Sequence, residues 1–168
     1  MSTQDTAKQD QIKRAMACFG TGVTVITTHH AGQDWGMTCN SFNTVSLDPA
    51  MVLWSIKQSS SSHAAFVSST GYTVNILSLE QHDLAMRFAK GAHAERFAGL
   101  KLSRVADNRP RIEGAIAWFD CSLHRAVAAG DHDIMLGHIL SSGTNEDKHA
   151  QPLLYAQRQF GSLKPWQA

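Results

Sequence analysis

Between Gly36 and Phe42 the chain reads Gly-Met-Thr-Cys-Asn-Ser-Phe, which gathers the hydroxyls of Thr38 and Ser41 around the amide of Asn40. A planar, heteroatom-rich ring needs donors and acceptors along its edge, because each polar atom buried unpaired costs about 1–3 kcal/mol. The same residues equally suit a polar turn in which Asn40 and Ser41 bond their own backbone. A second group is the run Ser59 to Ser62, two residues after Lys57. Hydroxyls and free N–H groups at the start of a helix, with a cation before them, make an anion site. The plainer reading is that one serine caps the helix and the others are hydrated. A third group is Gly130-Asp-His-Asp133, a turn in which Asp131 can orient the imidazole of His132. A solvated turn histidine is the competing reading.

Other chemistries find no pattern. Cys18, Cys39 and Cys121 form no CxxC and no even set, which argues against a disulfide framework or a thiolate zinc site. His132 and His138 have no third ligand at fixed spacing, and HExxH, GxSxG, GxxxxGK[ST] and GxGxxG are all missing. With 15 Lys and Arg against 14 Asp and Glu, the net charge of +1 argues against nucleic-acid binding by charge neutralisation. The N-terminus lacks the apolar stretch of a signal peptide, and no run is long enough to span a membrane. A cytoplasmic protein is the expectation. The charged fraction of 17% is below the roughly 25% usual for soluble domains, which points to surface covered by a partner such as a second copy.

The elements that must position these residues are mostly strands. Ile12, Ala15, Met16 and Phe19 form the stripe of an amphipathic helix, expected to be packed. Val23 to His30 alternates and is β-branched, a turn follows at 31–34, and Trp35 to Cys39 returns as a hairpin partner. Further strands are predicted over Asn43–Leu47, Met51–Lys57 and Tyr72–Leu77, with helices at 63–69 and Glu80–Ala89. Residues 90–110 carry little pattern and predict a loop with one helical turn. A long strand from Gly114 turns at 128–133 into a partner from Ile134, and Leu153–Tyr155 closes the chain as a short strand. Trp35, Trp54, Trp118 and Trp166 are expected to fill core or interface. Strands joined by short turns predict an antiparallel barrel with added helices, in one domain over 1–168 with its core at about 12–163.

Taken together, the chain resembles the short-chain flavin reductase family, the reductase components of two-component flavin monooxygenases. The resemblance rests on FGTGVTVITT from Phe19, GMTCNSFNTVSLDPAMV from Gly36, VNIL from Val74 and the helix Gln81–Ala89 ending RFA. It continues in GDHDIMLGHI from Gly130 and PLLY from Pro152. It implies a mainly β, six-stranded antiparallel Greek-key split barrel, assembled as a homodimer, that reduces FAD or FMN with a nicotinamide nucleotide; no Arg cluster awaits a 2′-phosphate, which favours NADH over NADPH. A flavin-binding carrier without nicotinamide-dependent activity is the alternative. Met37, Thr38, Cys39, Asn40, Ser41 and Phe42 are implied to line the ring and its ribityl chain. Ser55, Lys57, Ser59, Ser60 and Ser62 are implied at the phosphate end. Phe88, Ala89 and Lys90 are implied along the distal part of the flavin, and His132 beside the nicotinamide. Cys39 departs from the alanine that the family commonly carries. The implied partners are a second copy and a separate monooxygenase, with neither nucleic acid nor membrane.

Overall fold

The structure is a computed structural model that describes residues 3–147 and 149–164. Helix α1 (Thr3–Ala17) is followed by β1 (Thr21–Gly22), β2 (Thr24–His30), β3 (Gln33–Cys39), β4 (Asn43–Leu47) and β5 (Ala50–Lys57). Then come α2 (His63–Val67), β6 (Gly71–Ile76), α3 (His82–Lys90), β7 (Leu102–Arg104) and β8 (Pro110–Ile112). The long pair β9 (Ala117–Ala129) and β10 (His132–Thr144) precedes the hairpin β11 (Leu154–Ala156) and β12 (Gln159–Gly161).

Seven strands form one antiparallel sheet in the order β3-β2-β6-β9-β10-β5-β4. The antiparallel, mainly β architecture expected from the sequence is therefore present. Its two outer strands, β3 and β4, are consecutive in the chain and joined by the corner at Asn40 to Phe42. Every second residue of β5 (Val52, Trp54, Ile56) points into a core shared with Ile26, Tyr72, Val74, Cys121 and Met135. Trp54 lies edge-on to Phe66 and Tyr72, at 5.0 and 5.4 Å between ring centres. A second core on the other side of β2 gathers Val23, Val25, Leu77, Ala85, Phe88, Ile112 and Leu153. Strand β2 is thus covered on both faces, which requires its polar residues to be paired. Thr24 donates to the Cys39 carbonyl at 2.8 Å, Thr27 to Pro110 at 2.5 Å and Thr28 to Gly71 at 2.7 Å.

Three expectations are corrected. The stripe Ile12, Met16 and Phe19 is not packed within the chain: these side chains are 45%, 71% and 77% exposed. Residues 90–110 are more ordered than a loop, because β7 and β8 pair there. Buried Asn75 holds β8 to the sheet, accepting from Ile112 N at 2.8 Å and donating to the Val25 carbonyl at 3.0 Å. No local pattern announces a strand fixed by a distant side chain. The terminal strand is in fact the first half of a hairpin, β11 with β12. Among the tryptophans, Trp54 is core, Trp35 lies against His93 and Trp118 under Arg111, while Trp166 lies outside the described residues.

Candidate functional site

Strand β3 pairs on one side only, with β2, so its other edge carries open backbone groups. Helix α3 fixes that edge from outside. Its apolar face lays Phe88 against Gly36, where an added Cβ would sit 2.5 Å from the ring. Thr38 then donates to the Ala85 carbonyl at 2.5 Å. At the corner beyond, the Ser41 hydroxyl accepts from Ser55 N at 2.9 Å and lies 3.3 Å from the Ser55 carbonyl. The hydroxyls of Thr38 and Ser41 therefore hold the corner's shape. The Asn40 side chain is exposed, with no partner among the described residues. It lines two adjoining clefts, of about 360 and 440 Å³.

On β5, two residues past Ser55, Lys57 lies directly across from His132 in the register of β5 with β10. A step of two residues along a strand is about 6.6 Å and returns to the same face. The corner at 36–42 and the turn at 130–133 are thus attached to neighbouring positions of one strand. The turn is a two-residue loop, Gly130-Asp131, whose first residue has φ 66°, a conformation suited to glycine. His132 Nδ1 lies 2.6 Å from Asp131 Oδ1, which leaves Nε2 free to meet a ligand. The His132 hydrogen bond, aided by its charge and that of Lys57, holds the Asp131 carboxyl below the usual carboxylate range. The Lys57 ammonium stands 3.9 Å from the same carboxylate.

The serine run is tied to this turn. Gln58 donates from its backbone to the Asp131 carbonyl at 3.0 Å and from its side chain to Asp133 at 2.9 Å. His63 Nε2 lies 2.7 Å from the other Asp133 oxygen. Ser59 is exposed and Ser60 half-buried, both open to a ligand, whereas Ser62 is wholly enclosed. The helix that follows has five residues, and Ser62 makes no side-chain cap bond. The expected helix-end anion site is accordingly reduced to Lys57, Ser59 and Ser60.

Three expected contact residues turn inward. Cys39 is 5% exposed, Ser62 0% and Phe88 1%, so all three support the site from within the fold. Burial pushes the Cys39 thiol upward, which keeps it protonated and poorly reactive. Met37 and Phe42 are half-buried against the inner core, and Ala89 and Lys90 are exposed at the end of α3.

Arg96 escapes the sequence reading altogether. Its guanidinium donates to the Gly36 carbonyl at 2.7 Å and to Gly91 at 3.1 Å, and lies 3.5 Å from the Ser62 hydroxyl. It pins the segment after α3 to the open edge of β3. A lone arginine in a patternless stretch gave no signal; only the fold reveals what it touches.

The donor set suits a flat heterocycle with a phosphate tail: an open strand edge, a free amide, hydroxyls behind a lysine, and an imidazole across the strand. The family described as flavin reductase like domain matches residues 16–164. The chain belongs to the flavin reductase-like family. This flavin reductase-like chain is 41% identical over 141 residues to the reductase component of a flavin-dependent trigonelline monooxygenase from Acinetobacter baylyi. That match takes in 83% of the chain and 45% of the relative, so the chain spans about half that protein's length. It is 38% identical to the FMN reductase (NADH) SmoA of Agrobacterium fabrum, over 89% of the chain and 83% of the relative. Among solved structures, the Streptomyces globisporus NADH:FAD oxidoreductase SgcE6, in complex with NAD and FAD fragments, superposes with a TM-score of 0.87. Identity there is 29%, covering 95% of this chain and 94% of that one. No helix among the described residues is long and apolar enough to cross a membrane, and no group of metal ligands assembles among them.

Proposed function

We propose that this chain is an NAD(P)H:flavin oxidoreductase that reduces FAD or FMN, with NADH as the preferred donor, and supplies the reduced flavin to a separate monooxygenase. The observation that carries this reading is the convergence on β5: Ser41 at Ser55, and His132 across from Lys57. Segments about ninety residues apart come together there, so a flavin ring and a nicotinamide can share one slot. When bound, the two cofactors supply the hydride chemistry between themselves. The chain's residues bind and orient. Met37, Thr38, Asn40, Ser41 and Phe42 shape the ring site on the open β3 edge, with Cys39 and Phe88 behind it. Ser55, Lys57, Ser59 and Ser60 receive a phosphate end, with Ser62 as support. Ala89 and Lys90 flank the distal part of the ligand, and His132 positions the nicotinamide through its free Nε2. Hydroxyls and amides rather than ion pairs at the ring edge suit a flavin that must also leave.

The same reading includes a barrel of six strands, β2, β3, β5, β6, β9 and β10, around the inner core, to which all six contribute. It also includes a homodimer, supported by exposed Met16, Phe19 and Leu47, the last 93% exposed. The deciding experiment mixes purified protein, flavin and NADH and follows the NADH absorbance band. Loss of NADH that requires both protein and flavin supports the oxidoreductase. Loss no faster than in the protein-free control, with flavin still bound, would make the chain a carrier.

A further inference from the structure

The β11–β12 hairpin turns on two residues, Gln157 and Arg158, between paired Ala156 and Gln159. Both are left-handed, with φ of 51° and 64°. Such a loop accepts Asn-Gly at little cost, while long side chains are strained there. Arg158 nonetheless occupies the second position, and it lines the cleft of about 360 Å³ with Thr38, Asn40, Lys90 and Tyr155. Arg14 of α1 shares an adjoining cleft with Arg158. Among the described residues no carboxylate pairs with Arg14, Lys90 or Arg158. Two unpaired cations from separate segments, Lys90 and Arg158, line one cleft with a free amide, with Arg14 in the adjoining cleft, and together they describe a site for an anion. The serine run is not part of it, since Lys57, Ser59 and Ser60 are not among the residues that line this cleft.

We propose that Lys90 and Arg158 form a second phosphate-recognition point, which holds a phosphate of a bound nucleotide in the Asn40 cleft. The ligand class rests on the flavin reductase reading. Two nucleotides must meet in one slot, and each brings its own phosphates. One phosphate end is met by Lys57 and the serines; Lys90 and Arg158 meet the other. Strain at Arg158 persists because its guanidinium, and no shorter side chain, reaches that group.

The test is steady-state kinetics of the full chain with NADH or NADPH and riboflavin, FMN or FAD, for wild type, Arg158→Ala, Arg158→Gly and Lys90→Ala. In each variant the KM for one of the two nucleotides, flavin or nicotinamide, is expected to rise roughly tenfold, as for a lost charge-assisted contact, while the KM for riboflavin stays as in wild type. Arg158→Gly is expected to keep a Tm at or above wild type, because glycine relieves the turn, so a folding defect cannot mimic the result. A rise confined to FMN and FAD assigns the phosphate to the flavin. A rise in the KM for NADH or NADPH with riboflavin as acceptor assigns it to the nicotinamide nucleotide. If every nucleotide stays within about twofold of wild type, the inference falls. If the wild-type chain oxidises no NADH with any flavin, the proposed function falls instead. Calorimetric titration of FMN and of NADH into wild type and Arg158→Gly then tests the phosphate point alone, and affinities that stay within about twofold for both nucleotides would overturn it.

Discussion

A hydroxyl in a binding corner can face the ligand or hold the corner together, and Ser41 does the second. Two of its hydrogen bonds go to the backbone of Ser55 and a third, at 3.1 Å, to the buried Cys39 thiol. Asn40, one residue earlier, keeps its amide free beside two clefts. Residue type and spacing alone cannot separate such neighbours, since both are small and polar. His132 is different, because its orientation follows from the aspartate before it and the strand after it. With Nδ1 occupied by Asp131, only Nε2 is available to a ligand, which is the basis of its proposed place beside the nicotinamide. His132→Ala is expected to raise the KM for NADH roughly tenfold while flavin affinity stays as in wild type. Steady-state kinetics together with flavin titration checks this. Weakened flavin binding with intact NADH kinetics would contradict the assignment.

At the scale of elements, the position of α3 decides the shape of the open β3 edge. The helix sits close because Gly36 has no side chain to meet Phe88 and Phe97. Gly36→Ala is expected to destabilise the protein by about 1–3 kcal/mol, as overpacking does against a rigid ring. Flavin affinity should fall with it, since Thr38 loses its register with Ala85; thermal unfolding and flavin titration report the two effects. The β2–β3 hairpin carries a pH signature of its own. Burial draws the Asp34 carboxyl upward, but hydrogen bonds from Arg104 and His29 bring it net below its ordinary value. A carboxyl lowered on folding stabilises the fold above its unfolded pKa and loses that contribution as pH falls through the folded one. Arg104→Ala should therefore cost about 0.5–1 kcal/mol near pH 7, discounted for exposure, and almost nothing near pH 2. Urea unfolding at the two pH values measures the difference.

For the whole molecule, the exposed apolar side chains are the unresolved charge on its stability as a monomer. Leu47 and Val45 on β4, Met16 near the end of α1 and Phe19 just past it are exposed on a chain with a low charged fraction. The homodimer proposed above would cover them and account for both. Leu47→Asp is expected to shift the protein from dimer to monomer, read by light scattering behind a sizing column. A wild-type chain that is already monomeric would overturn the homodimer. The α1 stripe illustrates why the sequence was legible here only in part. Periodicity announced an apolar helix face, but a pattern within one chain does not say which molecule covers it.

The strands of the large sheet, the turns between them and the polar residue types of the candidate site were determined by the sequence alone, because alternation, β-branching and turn chemistry act over neighbouring residues. The attachment of β8 to the large sheet was not, since it runs through Asn75 of β6, which accepts from Ile112 N. Nor was the role of Arg96, or the meeting of Arg14, Lys90 and Arg158 around one pair of clefts. Those arrangements join residues tens of positions apart, and contacts at that range are set by how the sheet folds and what packs against it. Local propensity carries no information about distance in space, which is why only the tertiary structure could decide them.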